Sequence, residues 1–279
     1  MNKFLYFGTP YVARDTLVYL VERGFVPEAV ITSPDAPKGR GLALAPSATK
    51  EWALAHDLPV LAPEKLDGEL IESLRSYGAE YAIVVAYGKI LPQTLIDLFP
   101  KGVLNVHYSL LPKYRGASPV ESALLHGETT TGVSIQKMVL RLDAGDVIAQ
   151  EEVAIRSEET TRELRPRLVT EGARLLADIL PAYERGELAG VPQDEAQATH
   201  FGKIEKKEGE LDLAGNAESN WNKYRAYAES PGTYFFAECN GARIRVKVVT
   251  ATYENGKFVP LRVVPEGRRE IDYADFVRS

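Results

Sequence analysis

The chain has 279 residues, 45% of them hydrophobic and 26% charged, with a formal net charge of −6. That acidic balance argues against a general nucleic-acid binder, and the lone cysteine, Cys239, excludes an intramolecular disulfide and fits a reducing compartment. The opening MNKFLYFGTPYVARD meets Gly, Pro and charge after a few apolar residues, too soon for a secretory or membrane-spanning segment, so a cytoplasmic protein without membrane association is expected.

In chain order, residues 3–7 (KFLYF) form a short apolar run that meets Gly8. Val12, Leu17, Leu20 and Val21 recur at helical spacing until Gly24, and 28–32 (EAVIT) reads as a second strand. Strand, helix, strand is the unit of a parallel α/β sheet, and here it repeats. Residues 48–55 read as helix, 59–61 as a short strand, 68–76 as helix and 81–86 (YAIVVA) as a buried strand. A helix over 91–98 has Pro92 near its start, and 102–106 (GVLNV) is the next strand. The alternation then changes. Residues 120–125 form a short helix, whereas 131–138 and 147–155 read as strands joined by a short connection, hence antiparallel to each other. A long amphipathic helix covers 161–185, with Pro166 as a kink or restart.

This predicts a mostly parallel α/β domain over 1–185 with helices on both faces, a Gly/Pro/Gln-containing linker over 186–202, and a short β-rich domain over 203–279. In the tail, a helix over 219–228 precedes strands at 233–239, 242–253 and 257–264, and Asn-Gly pairs at 240–241 and 255–256 mark hairpin turns. The tail is near neutral, so the acidic excess lies in the rest of the chain. One connection stands out: 33–47, SPDAPKGRGLALAPS, is longer than most loops and basic after Asp35, and it leaves the end of a parallel strand, where α/β ligands bind.

Several chemistries are excluded. FGTPYVA puts Thr-Pro where a dinucleotide fingerprint needs its second glycine, and GRG at 39–41 is not followed by GK[ST]. His56, His107, His126 and His200 have no metal-ligand spacing, so no metal is expected. No GxSxG accompanies Ser109. What is left is NVHYSLLPKYRG at 105–116 and LDAGDV at 142–147. Asn105 and His107 share parity and point to one face at the carboxyl end of a parallel strand. Both are donors suited to a developing oxyanion, and a carboxylate such as Asp143 would orient the imidazole. The same residues also read as a turn-forming Asn, a half-buried His bonded to a carbonyl and a turn Asp before Gly145, and spacing leaves both readings open.

NVHYSLLPKYRG followed by LDAGDVI resembles the formyltransferases that use 10-formyltetrahydrofolate, whose signature is Asn-x-His-x-Ser-Leu-Leu-Pro with a downstream Asp-x-Gly. FGTPYVA (7–13), SPDAPKGRGLALAPS (33–47) and VVAYGKILP (84–92) narrow the resemblance to the members acting on methionyl-tRNA, and it continues through KIEKKEGELDL (203–213), SPGTYFF (230–236) and VPEGRREIDYADFVR (264–278). The resemblance implies a Rossmann-like catalytic domain and a C-terminal barrel of OB type, and formyl transfer to initiator methionyl-tRNA by a monomeric cytoplasmic enzyme without a metal. It implies Asn105, His107 and Asp143 as the catalytic trio, Ser109, Leu110, Leu111 and Pro112 as the folate-contacting segment, and Ile90 and Leu91 as pterin-pocket lining. It implies Arg40, with Lys38 beside it, as the groups engaging the tRNA acceptor end.

Two departures matter. Tyr108 stands at a variable position where the family often has Gly or Ala, and the β-rich tail is shorter than the family's barrel. Lys206, Lys207, Arg243, Arg245 and Lys247 in that tail read as solvated surface. The alternative activity is a formyltransferase acting on a nucleotide-linked amino sugar, and the basic 33–47 loop argues against it. A folate-binding protein without activity is a third reading, opposed by the intact trio.

Overall fold

The computed structural model describes residues 2–38, 42–239 and 241–278. The first apolar run forms β1 (Phe4–Gly8), buried throughout, and α1 (Tyr11–Glu22) follows so closely that a Cβ on Gly8 would lie 2.5 Å from that of Ala13. Next come β2 (Ala29–Ile31), β3 (Ala36–Lys38), β4 (Ala43–Ala45), α2 (Ala48–Ala55), β5 (Val60–Leu61), α3 (Gly68–Arg75), β6 (Tyr81–Val85), α4 (Gln93–Ile96) and β7 (Gly102–His107). Then follow β8 (Arg115–Gly116), α5 (Pro119–Leu125), β9 (Thr130–Lys137), β10 (Val147–Ala154) and α6 (Thr161–Glu184). The remainder holds β11 (His200–Phe201), α7 (Ala217–Ala226), β12 (Thr233–Cys239), β13 (Ala242–Glu254), β14 (Lys257–Pro265), β15 (Ile271–Asp272) and α8 (Tyr273–Arg278).

Seven strands form one sheet in the order β10-β9-β7-β6-β1-β2-β5. From β5 to β7 the neighbours run parallel, and β9 runs antiparallel to β7. Lys137 N–H donates to Asp146 O at 2.8 Å and Ile155 N–H to Thr129 O at 2.9 Å, so β9 and β10 are antiparallel, as their short connection predicts.

Alternation sorts the strand residues between two cores. Leu5, Phe7, Ala82, Val84 and Val103 pack with Leu70, Ile71 and Leu74 of α3 and Leu95 and Ile96 of α4. On the opposite face, Tyr6 donates its hydroxyl to Ala13 O of α1 at 2.6 Å, and Tyr81 meets Tyr183 of α6 edge-on at 5.8 Å. Residue Gly172 brings α6 close to this face, because a Cβ there would meet Val106 at 3.0 Å, Val133 at 3.1 Å and Tyr108 at 3.5 Å.

Three details differ from the periodicity. The 33–47 connection contains a hairpin, β3 against β4 with Lys38 opposite Ala43. Pro92 is the N-cap of α4, so Leu91 stays outside that helix. Pro166 and Pro181 lie within α6 without ending it.

The chain divides into two compact units. The first comprises Met1–Arg115, Gly132–Val153 and Pro166–His200, and the second Gly116–Thr131, Ala154–Arg165 and Phe201–Ser279. The second has an antiparallel sheet β12-β13-β14-β15 over its own core of Leu211, Phe235, Val246, Val248, Val263 and Phe276. Asn255 (φ 51°) and Gly256 (φ 73°) join β13 to β14 with the paired left-handed residues of a two-residue hairpin turn.

Candidate active site

Strand β7 passes from core to site along one face. Val103 is core, and Asn105 and His107 continue the same face, the first half-buried and the second only 5% exposed. Their register partners on β9 are Gln136 and Ser134, which face the same side, and Val84 of β6 lies on the other flank of Asn105.

The two nitrogens of His107 have different neighbours. Nε2 lies 2.9 Å from Tyr114 O, and Nδ1 lies 3.8 Å from Asp143 Oδ2. A carbonyl only accepts, so Nε2 carries a proton and Nδ1 is the nitrogen that faces the carboxylate. Asp143 Oδ1 accepts Gln136 Nε2–H at 2.9 Å. Both partners of His107 sit on left-handed backbone, Tyr114 at φ 62° and Asp143 at φ 48°, a conformation that costs a non-glycine residue energy and persists where its surroundings hold it. The Asp143 loop is held partly by Gly145, where a Cβ would lie 1.7 Å from Lys137 O.

The S-L-L-P segment is fixed by side chains beneath it. Ser134 Oγ donates to Ser109 O at 2.6 Å and accepts Leu111 N–H at 3.0 Å, while Gln150 Nε2 donates to Leu111 O at 2.8 Å. Ser109 turns its own hydroxyl back to Lys113 O at 2.7 Å.

Residues 4–180 match the formyl transferase family. The chain belongs to that family. It is 38% identical over 297 residues to a methionyl-tRNA formyltransferase of Methylobacterium sp. (strain 4-46), covering 99% of this chain and 96% of that protein. With the methionyl-tRNA formyltransferase of Sulfurihydrogenibium sp. (strain YO3AOP1) it shares 42% identity over 234 residues, 83% of this chain and 75% of the relative. Among solved structures, an N-formyltransferase from Helicobacter canadensis, in complex with folinic acid and dTDP-3-aminofucose, superposes with a TM-score of 0.68 at 19% identity over 91% of this chain and 89% of that one. HypX from Aquifex aeolicus also reaches 0.68, at 16% identity, over 99% of this chain and 48% of that protein. At these identities the structural likeness concerns the formyltransferase fold.

Of the residues that the resemblance implies, Asn105 and His107 lie on one face of β7, and Asp143 Oδ2 lies 3.8 Å from His107 Nδ1. Within S-L-L-P, Ser109 and Leu111 are buried and structural, whereas Leu110 and Pro112 are half-buried. Leu91 belongs to the core beside Tyr87 and Leu95, and Ile90 is 80% exposed. Lys38 is exposed on its hairpin, and Arg40 lies outside the described residues. Tyr108, unassigned from the sequence, is a core residue on the opposite face, packed near Gly172. In the tail, Arg243 lies over Phe236 at 4.1 Å and Arg245 over Tyr234 at 3.7 Å, while Lys207 pairs with Glu205 at 2.8 Å.

Sequence reasoning missed Gln136, Ser134 and Gln150. Their signal was available only in register: with β9 antiparallel to β7, a glutamine opposite Asn105 must share its face. Burial pushes the Tyr87 phenol up to about 12. Among the described residues there is no group of three or more His, Cys, Asp or Glu that could hold a metal ion, and no helix is long and apolar enough to cross a membrane.

Proposed function

We propose that the chain transfers a formyl group from 10-formyltetrahydrofolate to the α-amine of initiator methionyl-tRNA. The observation that carries this reading is the 38% identity to a methionyl-tRNA formyltransferase over nearly the whole of both chains. In this reading residues 1–185 are the catalytic portion, 186–202 a connector and 203–279 a shortened β-rich tail. The enzyme acts as a cytoplasmic monomer and no step is assigned to a metal.

The chemistry follows from the donors. The amine attacks the formyl carbon, and negative charge develops on the formyl oxygen. The Asn105 amide meets that charge, and His107 joins it through Nδ1–H as the doubly protonated ring, because Nε2–H is committed to Tyr114 O. Asp143, held by Gln136 on one oxygen, keeps its other oxygen toward His107 and receives the proton that the attacking amine loses. Collapse expels N10 of the folate, which takes up as it leaves the proton that Asp143 received from the amine. Leu110 and Pro112 wall the folate beside the reacting carbon, with Ser109 and Leu111 setting their backbone, and Ile90 and Leu91 border the pterin. Arg40 and Lys38 engage the acceptor end of the tRNA.

Purified protein, 10-formyltetrahydrofolate and charged initiator methionyl-tRNA should yield formyl-methionyl-tRNA, with a dTDP-linked amino sugar as the competing acceptor. Formylation of the sugar alone rejects the reading. Arg40→Ala should raise the KM for methionyl-tRNA and leave that for the formyl donor unchanged, and tRNA affinity should fall steeply with salt.

A further inference from the structure

The segment after α6 reads in the sequence as a linker, yet part of it lies along the Asp143 loop. Val147 and Val191 exchange backbone hydrogen bonds at 2.9 Å in both directions, and a Cβ on Gly190 would lie 2.5 Å from that of Asp146. Gln193 comes next. Its Nε2 donates to Asp143 O at 2.8 Å and to Gly145 O at 2.6 Å. Its Oε1 accepts from Arg115 Nε at 3.0 Å and Nη2 at 2.8 Å. Arg115 is completely buried, and Glu195 pairs with it at 2.9 Å, while the same carboxylate also accepts from Arg141 of the Asp143 loop.

An unpaired buried guanidinium is costly, so Arg115 needs both acceptors, and its fixed fork sets where they sit. One of them, Gln193, is an amide. Only an amide accepts from an arginine on one side and donates to two carbonyls on the other. We propose that Gln193 is a positioning residue, which carries the rigidity of the buried Arg115 to the loop bearing Asp143 and so holds that carboxylate opposite His107. The inference rests on the reading of Asp143 as a reacting group. Gln193 touches only backbone of that loop, so it acts through Asp143.

Gln193→Glu is the informative variant. It keeps the shape and the acceptor for Arg115, and it replaces the donor by an oxygen facing two carbonyl oxygens. In steady-state formyl transfer, kcat should fall about 100-fold with the KM of both substrates within about twofold, the signature of a displaced reacting group. Hydrogen exchange of the amides over 138–147 should accelerate about tenfold, with the rest of the chain unchanged. Arg141→Ala, which removes only the exposed tie to Glu195, should accelerate the same amides less. Wild-type kcat and exchange in Gln193→Glu would overturn the proposal, as would faster exchange over the whole chain, which marks a general loss of stability. A wild-type protein that fails to formylate methionyl-tRNA, with the local exchange change still present in the variant, overturns the functional reading and leaves the positioning role standing.

Discussion

Gln136 and Asp143 are joined by a 2.9 Å hydrogen bond from Nε2 to Oδ1, and Gln136 stands opposite Asn105 in the register of the two strands. One side chain therefore sits beside one donor of the proposed trio and holds its carboxylate. Gln136 Oε1 is buried with no hydrogen-bond partner among the described residues. Gln136→Leu removes a bond to a charged group worth about 1.5–3 kcal/mol together with an unsatisfied buried oxygen. The melting temperature should change little while kcat falls roughly 10- to 100-fold, at about 1.4 kcal/mol per factor of ten. An unchanged kcat in a folded variant would remove Gln136 from the site.

Asn105→Ala and His107→Ala should separate by stability. Each loses an oxyanion donor, a cost of about 10²–10³ in rate, with affinity for the formyl donor nearly intact. His107→Ala also removes the Nε2 donor 2.9 Å from the carbonyl of Tyr114, a residue at φ 62°. That adds about 1–3 kcal/mol of destabilisation. Calorimetry should show a lowered melting temperature for His107→Ala and a near-native one for Asn105→Ala. A His107→Ala protein with near-normal turnover would sink the mechanism.

Gly145→Ala tests the loop backbone. The new methyl would start 1.7 Å from Lys137 O, a backbone atom that cannot swing aside. The loop must move, at a cost of about 1–3 kcal/mol or more, and Asp143 moves with it. Chemical denaturation should report the lower stability, and activity should fall by more than that loss of folded protein explains.

Acid should weaken the Arg115–Glu195 pairing. The hydrogen bond from Arg115 holds the Glu195 carboxyl below the ordinary glutamate value of 4.5. A depressed folded value means that the pairing stabilises fully above the unfolded value and is lost as pH falls through the folded one. In Glu195→Gln the part of acid unfolding due to this group should vanish, leaving a flatter stability profile below about pH 4.5, measured by denaturant titration at several pH values.

The α/β alternation was legible in the sequence because β1, β2 and β6 are short apolar runs, and the helices between them present apolar residues at helical spacing. The catalytic candidates were legible by parity and signature. Arg115, Gln193 and Glu195 were not. Their partners lie about 50 to 80 positions away along the chain, as the 50-residue separation of Gln193 from Asp143 and the 80-residue separation of Arg115 from Glu195 show. No local period marks such pairs. Nothing local in PKYRG marks its arginine for burial, and the fold leaves Arg115 wholly buried. Tyr108 was opaque for a related reason, since its neighbour Gly172 belongs to a distant helix.

Strand β7 and the residue that follows it carry two messages interleaved at alternate positions: Asn105 and His107 face the site, and Val106 and Tyr108 face α6. A slip of one residue would exchange them, setting a tyrosine among the polar partners and an imidazole against the helix. The bulk of Tyr108 thus acts as a proofreader of alignment, because a chain that seats this ring correctly has already turned Asn105 and His107 to the other face.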